Sequence, residues 1–218
     1  MSNDEEVSLG NRAYAIPEGG YTVSLVCQDK RDPPMCHTAL LDAKFHAFLL
    51  YIDEDLAAKT RARGCRLCGR RLHRDRYPRK PRGGPRNLRE AYRHRLSFTC
   101  SICDKRHTPA SVRFLGRRVY LAVTVVLASA VRAGLTEWRV SQLTEWIRVP
   151  KRTLERWRTW WLLEFVDTRF WVTARGQFMP PPAAATQPAS LLECFEGPDL
   201  PSQLIAALRF LAPLGEGR

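Results

Sequence analysis

Apolar residues recur at three- and four-residue steps over residues 37–62, at Leu40, Leu41, Phe45, Phe48, Leu49, Ile52 and Leu56. That is the spacing of one helical face, and it predicts a scaffold helix laid on a core. Before it, residues 1–11 read as disordered, residues 21–27 alternate weakly as a short strand, and Asp32-Pro33-Pro34 reads as a loop. A thirteen-residue, almost wholly apolar run at 119–131 lies between Arg117, Arg118 and Arg132. A membrane span needs about twenty residues, so this run predicts a buried helix over 117–134, stopped by Gly134.

Residues 135–165 predict two short helices. The first turns Val140, Leu143 and Ile147 inward, and the second, from Lys151, turns in Leu154, Trp157 and Trp161. The turn Arg148-Val149-Pro150 between them gives the outline of a helix-turn-helix. Residues 167–178 alternate and predict a short, wing-like hairpin. Residues 179–189 (MPPPAAATQPA) predict a linker. Residues 190–214 return to helical spacing in two pieces broken at Gly197-Pro198, with an apolar stripe of Leu204, Ile205, Leu208 and Leu211. The N-terminal and C-terminal helical faces are candidate surfaces for a homodimer or a protein partner.

The cysteines add a second kind of order. Cys65-Arg66-Leu67-Cys68 and Cys100-Ser101-Ile102-Cys103 are two CxxC turns separated by 31 residues. Each turn aims two sulfurs at one point, and two turns complete a closed tetrahedron of the kind that holds one structural Zn²⁺. Gly69 suits the tight turn after the first pair. Disulfides are the competing use. The acidic, polar start of the chain shows no signal peptide, so a cytoplasmic protein with reduced thiols is expected. A redox CxxC should sit in a βαβ pattern, and none is visible. His73, His94 and His107 lie nearby, with four better ligands already present. Cys27, Cys36 and Cys194 have no ligand spacing and read as small apolar residues. Residues 95–114 predict a strand, knuckle, turn and strand, the β-hairpin of a zinc ribbon, with Pro109 ending the last strand or sitting on its edge.

Charge then singles out the loop between the two turns. Residues 61–95 hold fourteen Lys/Arg against Asp75 and Glu90, a net of 14 − 2 = +12, in a chain of net +13. Residues 1–60 hold five Lys/Arg against ten Asp/Glu, a net of −5. An almost single-signed, arginine-rich run threaded with Tyr77, Tyr92, Pro and Gly predicts an extended phosphate clamp. Its candidate contacts are Arg70, Arg71, Arg74, Arg76, Arg79, Lys80, Arg82 and Arg86, joined by Arg117 and Arg118. The second helix of the pair adds Lys151, Arg152, Arg156 and Arg158, a basic outward face suited to the major groove. The tryptophans of residues 135–165 read as core rather than as base-stacking platforms.

The fold expected is therefore mainly α with a small β zinc ribbon. The Cys₄ ribbon is inserted between an N-terminal helix and a helix-turn-helix bundle. Its divisions fall at 1–60, 61–116, 117–178 and 179–218. A zinc ribbon followed by a helix-turn-helix resembles the N-terminal DNA-binding part of bacterial insertion-sequence transposases and their short accessory proteins. The residues that carry the resemblance are Cys65, Cys68, Cys100 and Cys103, RHTPASVRFLGRRVY at 106–120 and VPKRTLERW at 149–157. The resemblance covers about residues 60 to 166. It implies a catalytic ribonuclease-H-like domain further on, with three dispersed acidic residues holding two metal ions. After residue 166 only 52 residues remain, without a set of buried strands.

The expectation is a non-catalytic, zinc-dependent DNA-binding protein, either a mobile-element accessory factor or a transcriptional regulator. An RNA-binding subunit of a ribonucleoprotein complex is one alternative, since an arginine-rich loop also suits RNA. A truncated transposase is the other. No nucleophile–base set, Walker loop or dinucleotide fingerprint appears.

Overall fold

A computed structural model describes residues 42–85, 87–88, 90–116, 119–130 and 135–216. The strand expected at 21–27, the start of the first helix, Gly134, Cys27, Cys36 and the candidates Arg86, Arg117 and Arg118 lie outside the described residues.

The first helix, α1 (Ala43–Arg63), starts where Asp42 accepts a hydrogen bond from the Lys44 amide at 2.8 Å and ends at Gly64 (φ 80°). Glycine is required there, because a Cβ would stand 2.7 Å from the Gly69 carbonyl oxygen. Phe45, Leu49 and Ile52 are buried as expected. The buried face also carries His46, Asp53, Ala57 and Thr60.

Beyond α1 the chain forms a three-stranded antiparallel sheet in the order β1-β2-β3: β1 (Leu72–Pro78), β2 (His94–Cys100) and β3 (Arg106–His107). The hairpin β2–β3 is the strand–knuckle–strand of the sequence reading, and Pro109 falls just past its end. β1 corrects that reading, which took residues 70–96 as one extended loop. Its register sets Leu72 opposite Cys100, Arg74 opposite Phe98 and Arg76 opposite Leu96. Only Leu72 of β1 is buried; Arg74 and Arg76, two and four residues on, stay exposed, so no apolar alternation marks the strand.

A short 3₁₀ turn (Glu90–Arg93) leads into β2. The segment after β1 is pinned to the helical body. The Arg82 amide donates to the Val119 carbonyl at 2.9 Å and the Leu121 amide to the Arg82 carbonyl at 3.0 Å. The Thr124 hydroxyl donates to the Gly83 carbonyl at 2.5 Å.

Helix α2 (Ala122–Ser129) is buried at every position, as an all-round apolar helix must be. Helix α3 (Glu137–Ile147), capped by Thr136, buries Val140, Leu143 and Ile147. After the turn, α4 (Lys151–Thr159) buries Leu154 and Trp157. It runs on into a π turn (Trp160–Glu164) closed by a 2.7 Å bond from the Phe165 amide to the Trp160 carbonyl. The wider turn lets Trp161 and Phe165 both bury completely, rings 4.7 Å apart.

Residues 167–178 are not a wing. They form α5 (Arg169–Ala174), capped by the Thr168 hydroxyl, and a 3₁₀ turn (Arg175–Gln177). The apparent alternation of Phe170, Val172 and Phe178 is outweighed by the Thr168 cap and the burial of Trp171 and Ala174, three residues apart. The Pro/Ala stretch also has structure, a 3₁₀ turn (Ala184–Thr186) followed by buried Gln187 and Pro188 and a short helix, α6 (Ala189–Leu192). Helix α7 (Leu200–Leu211) buries Leu204, Leu208 and Leu211 and packs against α2. Phe170, Phe178, Phe195 and Phe210 cluster beside it with centroids 5.2–5.7 Å apart. One hydrophobic core gathers residues from α1 through α7, and a second, small core (Ala57, Cys65, Leu72, Phe98 and Cys100) lies between α1 and the sheet.

Candidate metal centre and basic surface

The two CxxC turns meet. Their four sulfurs lie within 4.8 Å of one another, close enough to hold a metal ion, and no imidazole belongs to the set among the described residues. The closest approaches cross between the turns: 3.5 Å for Cys68–Cys100 and 3.6 Å for Cys65–Cys103. The turns are built alike. In each, the amide two residues after the first cysteine points at its sulfur, from Leu67 to Cys65 at 3.4 Å and from Ile102 to Cys100 at 3.5 Å. In each, the residue after the second cysteine has positive φ, 70° at Gly69 and 52° at Asp104. Asn and Asp tolerate that conformation better than most residues, which accounts for Asp104 where the first turn has glycine. His107, on β3, brings Nε2 to 3.3 Å from the Cys65 sulfur.

The thiols are unequal. The Leu67 amide, followed by that of Cys68, draws the Cys65 thiol down, although burial opposes it. The Cys103 and Ile102 amides bring Cys100 down to about 6. For Cys68 the Arg70 amide pulls down but is outweighed by the neighbouring sulfurs and desolvation, which push it up to about 12. Cys103 is raised in the same way, against the pull of the Lys105 amide. Four sulfurs this close either share protons or share a cation, and a divalent ion among them would replace the protons.

The arginines divide into two groups that sequence alone does not separate. Arg70, Arg71, Arg74, Arg76, Lys80 and Arg82 are exposed, as are Lys151, Arg152 and Arg156; Arg158 is half-buried. Arg79 is part of the framework. Its amide donates to the Arg93 carbonyl at 2.6 Å, and its guanidinium reaches the Gly116 carbonyl at 3.4 Å and stands 5.2 Å over the Phe114 ring. Arg95, counted in the charge run, is 2% exposed and donates to the Pro109 and Gly215 carbonyls at 2.8 and 2.5 Å.

The deepest of this group is Arg113, only 1% exposed. Its Nε donates to Asp53 at 2.7 Å; the Ser111 hydroxyl and Val112 amide donate to the same carboxylate at 2.6 and 2.7 Å. Its guanidinium covers the Tyr92 ring at 4.8 Å, and burial pushes the Tyr92 phenol up. The Tyr92 hydroxyl lies 3.3 Å from His46 Nδ1. Asp53 escaped the sequence reading, yet it left a signal: an acid four residues after Leu49, on the inward stripe of α1. The first turn is fixed as well, by an ion pair between Arg66 and Glu216.

No helix among the described residues is long and apolar enough to cross a membrane.

No family model, curated protein or solved structure matches this chain.

Proposed function

We propose that the protein is a zinc-stabilised DNA-binding protein that reads duplex sequence and does no catalysis of its own. A mobile-element accessory factor or a transcriptional regulator would have this character. The observation that carries the reading is the division of α4: Leu154 and Trp157 are buried while Lys151, Arg152 and Arg156 stand exposed at its start and middle. A recognition helix needs that split, with its scaffold side packed and its basic side free near the N-terminus. Around the paired CxxC turns, exposed arginines on a rigid strand supply positive charge suited to phosphate. Thiolate is a soft donor, and a closed set of four favours Zn²⁺ as a structural ion with no open position for a substrate.

Arg152→Ala tests the reading. A bidentate arginine–guanine contact supplies about 1–3 kcal/mol of discrimination. Binding-site selection from randomised duplexes should therefore give a relaxed preference with the variant and a sharp one with the wild type. An unchanged preference would make α4 structural. Stronger competition by structured RNA than by duplex DNA would move the protein to the RNA-binding alternative.

A further inference from the structure

The sheet face that meets α1 is only partly covered. Next to the small core a groove remains open between the helix and the hairpin, in two adjoining parts of 530 and 520 Å³ that share Glu54, Arg74 and Leu96. Its helix wall is low because Ala57, Ala58 and Ala62 stand there, and alanine cannot fill the space to the sheet. The opposite wall is β1. Arg74 and Arg76 lie two residues apart on one strand face, so they stand about 6.6 Å apart along it. Arg61 and Arg71 add two guanidiniums at one end. Among the described residues, neither Arg74 nor Arg76 takes part in an ion pair.

We propose that this groove seats a single unpaired nucleic-acid strand, its phosphates on the arginine wall and its sugars and base faces against Leu96 and the alanines. The proposal rests on the nucleic-acid-binding reading above and adds a second site to it, separate from α4. The observations favour a strand over a duplex in two ways. The spacing of Arg74 and Arg76 is close to that of successive phosphates along one strand, and planar guanidiniums grip phosphate in two-point fashion. A slot between a helix and a sheet is also too narrow for a double helix, while the apolar floor suits the exposed faces of unpaired bases.

The test uses the full-length, metal-loaded protein and fluorescence anisotropy. The probes are oligothymidine, oligouridine, a duplex of equal length and a polyglutamate peptide. Ala58→Phe fills the slot without touching a charge. It should weaken both single strands by about tenfold or more, the loss of one base contact, and leave duplex affinity unchanged. Arg74→Ala/Arg76→Ala should reduce single-strand binding comparably, which keeps the test open should Ala58→Phe fail to fold. The two oligomers tell DNA from RNA as the natural strand. Duplex binding by the wild type with single-strand binding untouched by either variant would overturn the groove alone. A wild type that binds none of the three nucleic-acid probes would overturn the functional reading with it. Loss of binding to a polyglutamate peptide, with oligomer binding intact, would assign the groove to acidic protein and overturn the strand.

Discussion

The ribbon end and the helical body are built on opposite principles. In the helical body, α2 is buried on every side, Trp157, Trp161 and Phe165 are fully enclosed, and α7 closes the back. In the ribbon end, five buried residues make up the small core, and two of them are the cysteines Cys65 and Cys100. A body of that kind draws its stability from apolar burial. A hairpin with so small a core does not, and needs a staple. A metal held by the four cysteines would be the missing core of the ribbon, and the rigidity it gave would hold β1 and its exposed arginines in place.

Removing the metal should break the two regions apart, and this is the largest effect expected. Binding of a structural Zn²⁺ is worth about 10–16 kcal/mol in small zinc modules and is folding free energy there. All six tryptophans lie in the body, between Trp138 and Trp171. After chelation, or in Cys100→Ser, amide hydrogen exchange should rise across 65–78 and 94–107 while tryptophan fluorescence stays native. Elemental analysis of the wild type should show one zinc per chain. A tryptophan signal that collapses with the ribbon would mean that the body leans on the metal too.

A smaller effect is expected at the joint. Asp53 on α1 holds Ser111, Val112 and Arg113 in the segment that follows β3, so one carboxylate ties the ribbon's exit to the scaffold helix. Asp53→Ala would leave Arg113 charged, buried and unpaired, a loss of about 3–5 kcal/mol. Denaturant unfolding of metal-loaded protein should show the lower midpoint. Glu54→Ala, next door but exposed, should leave it within about 0.5 kcal/mol. Equal behaviour of the two variants would mean that the joint is held elsewhere.

The two regions also differ in how far the sequence revealed them. The body's helices follow from apolar spacing, because Val140, Leu143, Ile147, Leu154, Trp157 and Trp161 point inward at the positions that spacing demands. The cysteine pairing was legible for a related reason: a CxxC turn is local geometry. The strand β1 was not. Apart from Leu72 it has no buried apolar position, its arginines stay exposed as ordinary patterning assigns them, and only pairing with β2 reveals it. The supposed wing failed for the opposite reason. Alternation at Phe170 and Val172 looked like a strand, and the Thr168 cap together with the packing of Trp171 on Phe165, centroids 5.0 Å apart, decided for a helix. Net charge was the least discriminating signal. It counted Arg79 and Arg95 with the free arginines, although one is held on Phe114 and the other is buried under two carbonyls.

That last distinction gives the smallest and most selective prediction. Lys80 and Arg82 are exposed, whereas Arg79 between β1 and that pair is anchored. On duplex DNA each phosphate contact contributes about −0.9 to the slope of log affinity against log salt. Lys80→Ala/Arg82→Ala should therefore flatten the slope by roughly two contacts' worth and leave sequence preference and melting temperature alone. Arg79→Ala should do the reverse. It removes a side chain that packs on an aromatic ring and bonds a carbonyl, so stability should drop by about 1–2 kcal/mol with the slope nearly unchanged. A salt titration and a thermal melt on both variants decide the matter. If Arg79→Ala flattens the slope as much as the pair does, its guanidinium leaves Phe114 for phosphate when DNA binds. If the pair changes nothing, the clamp lies with Arg70 and Arg71 beside the first CxxC turn, where the metal rather than the sheet fixes its position.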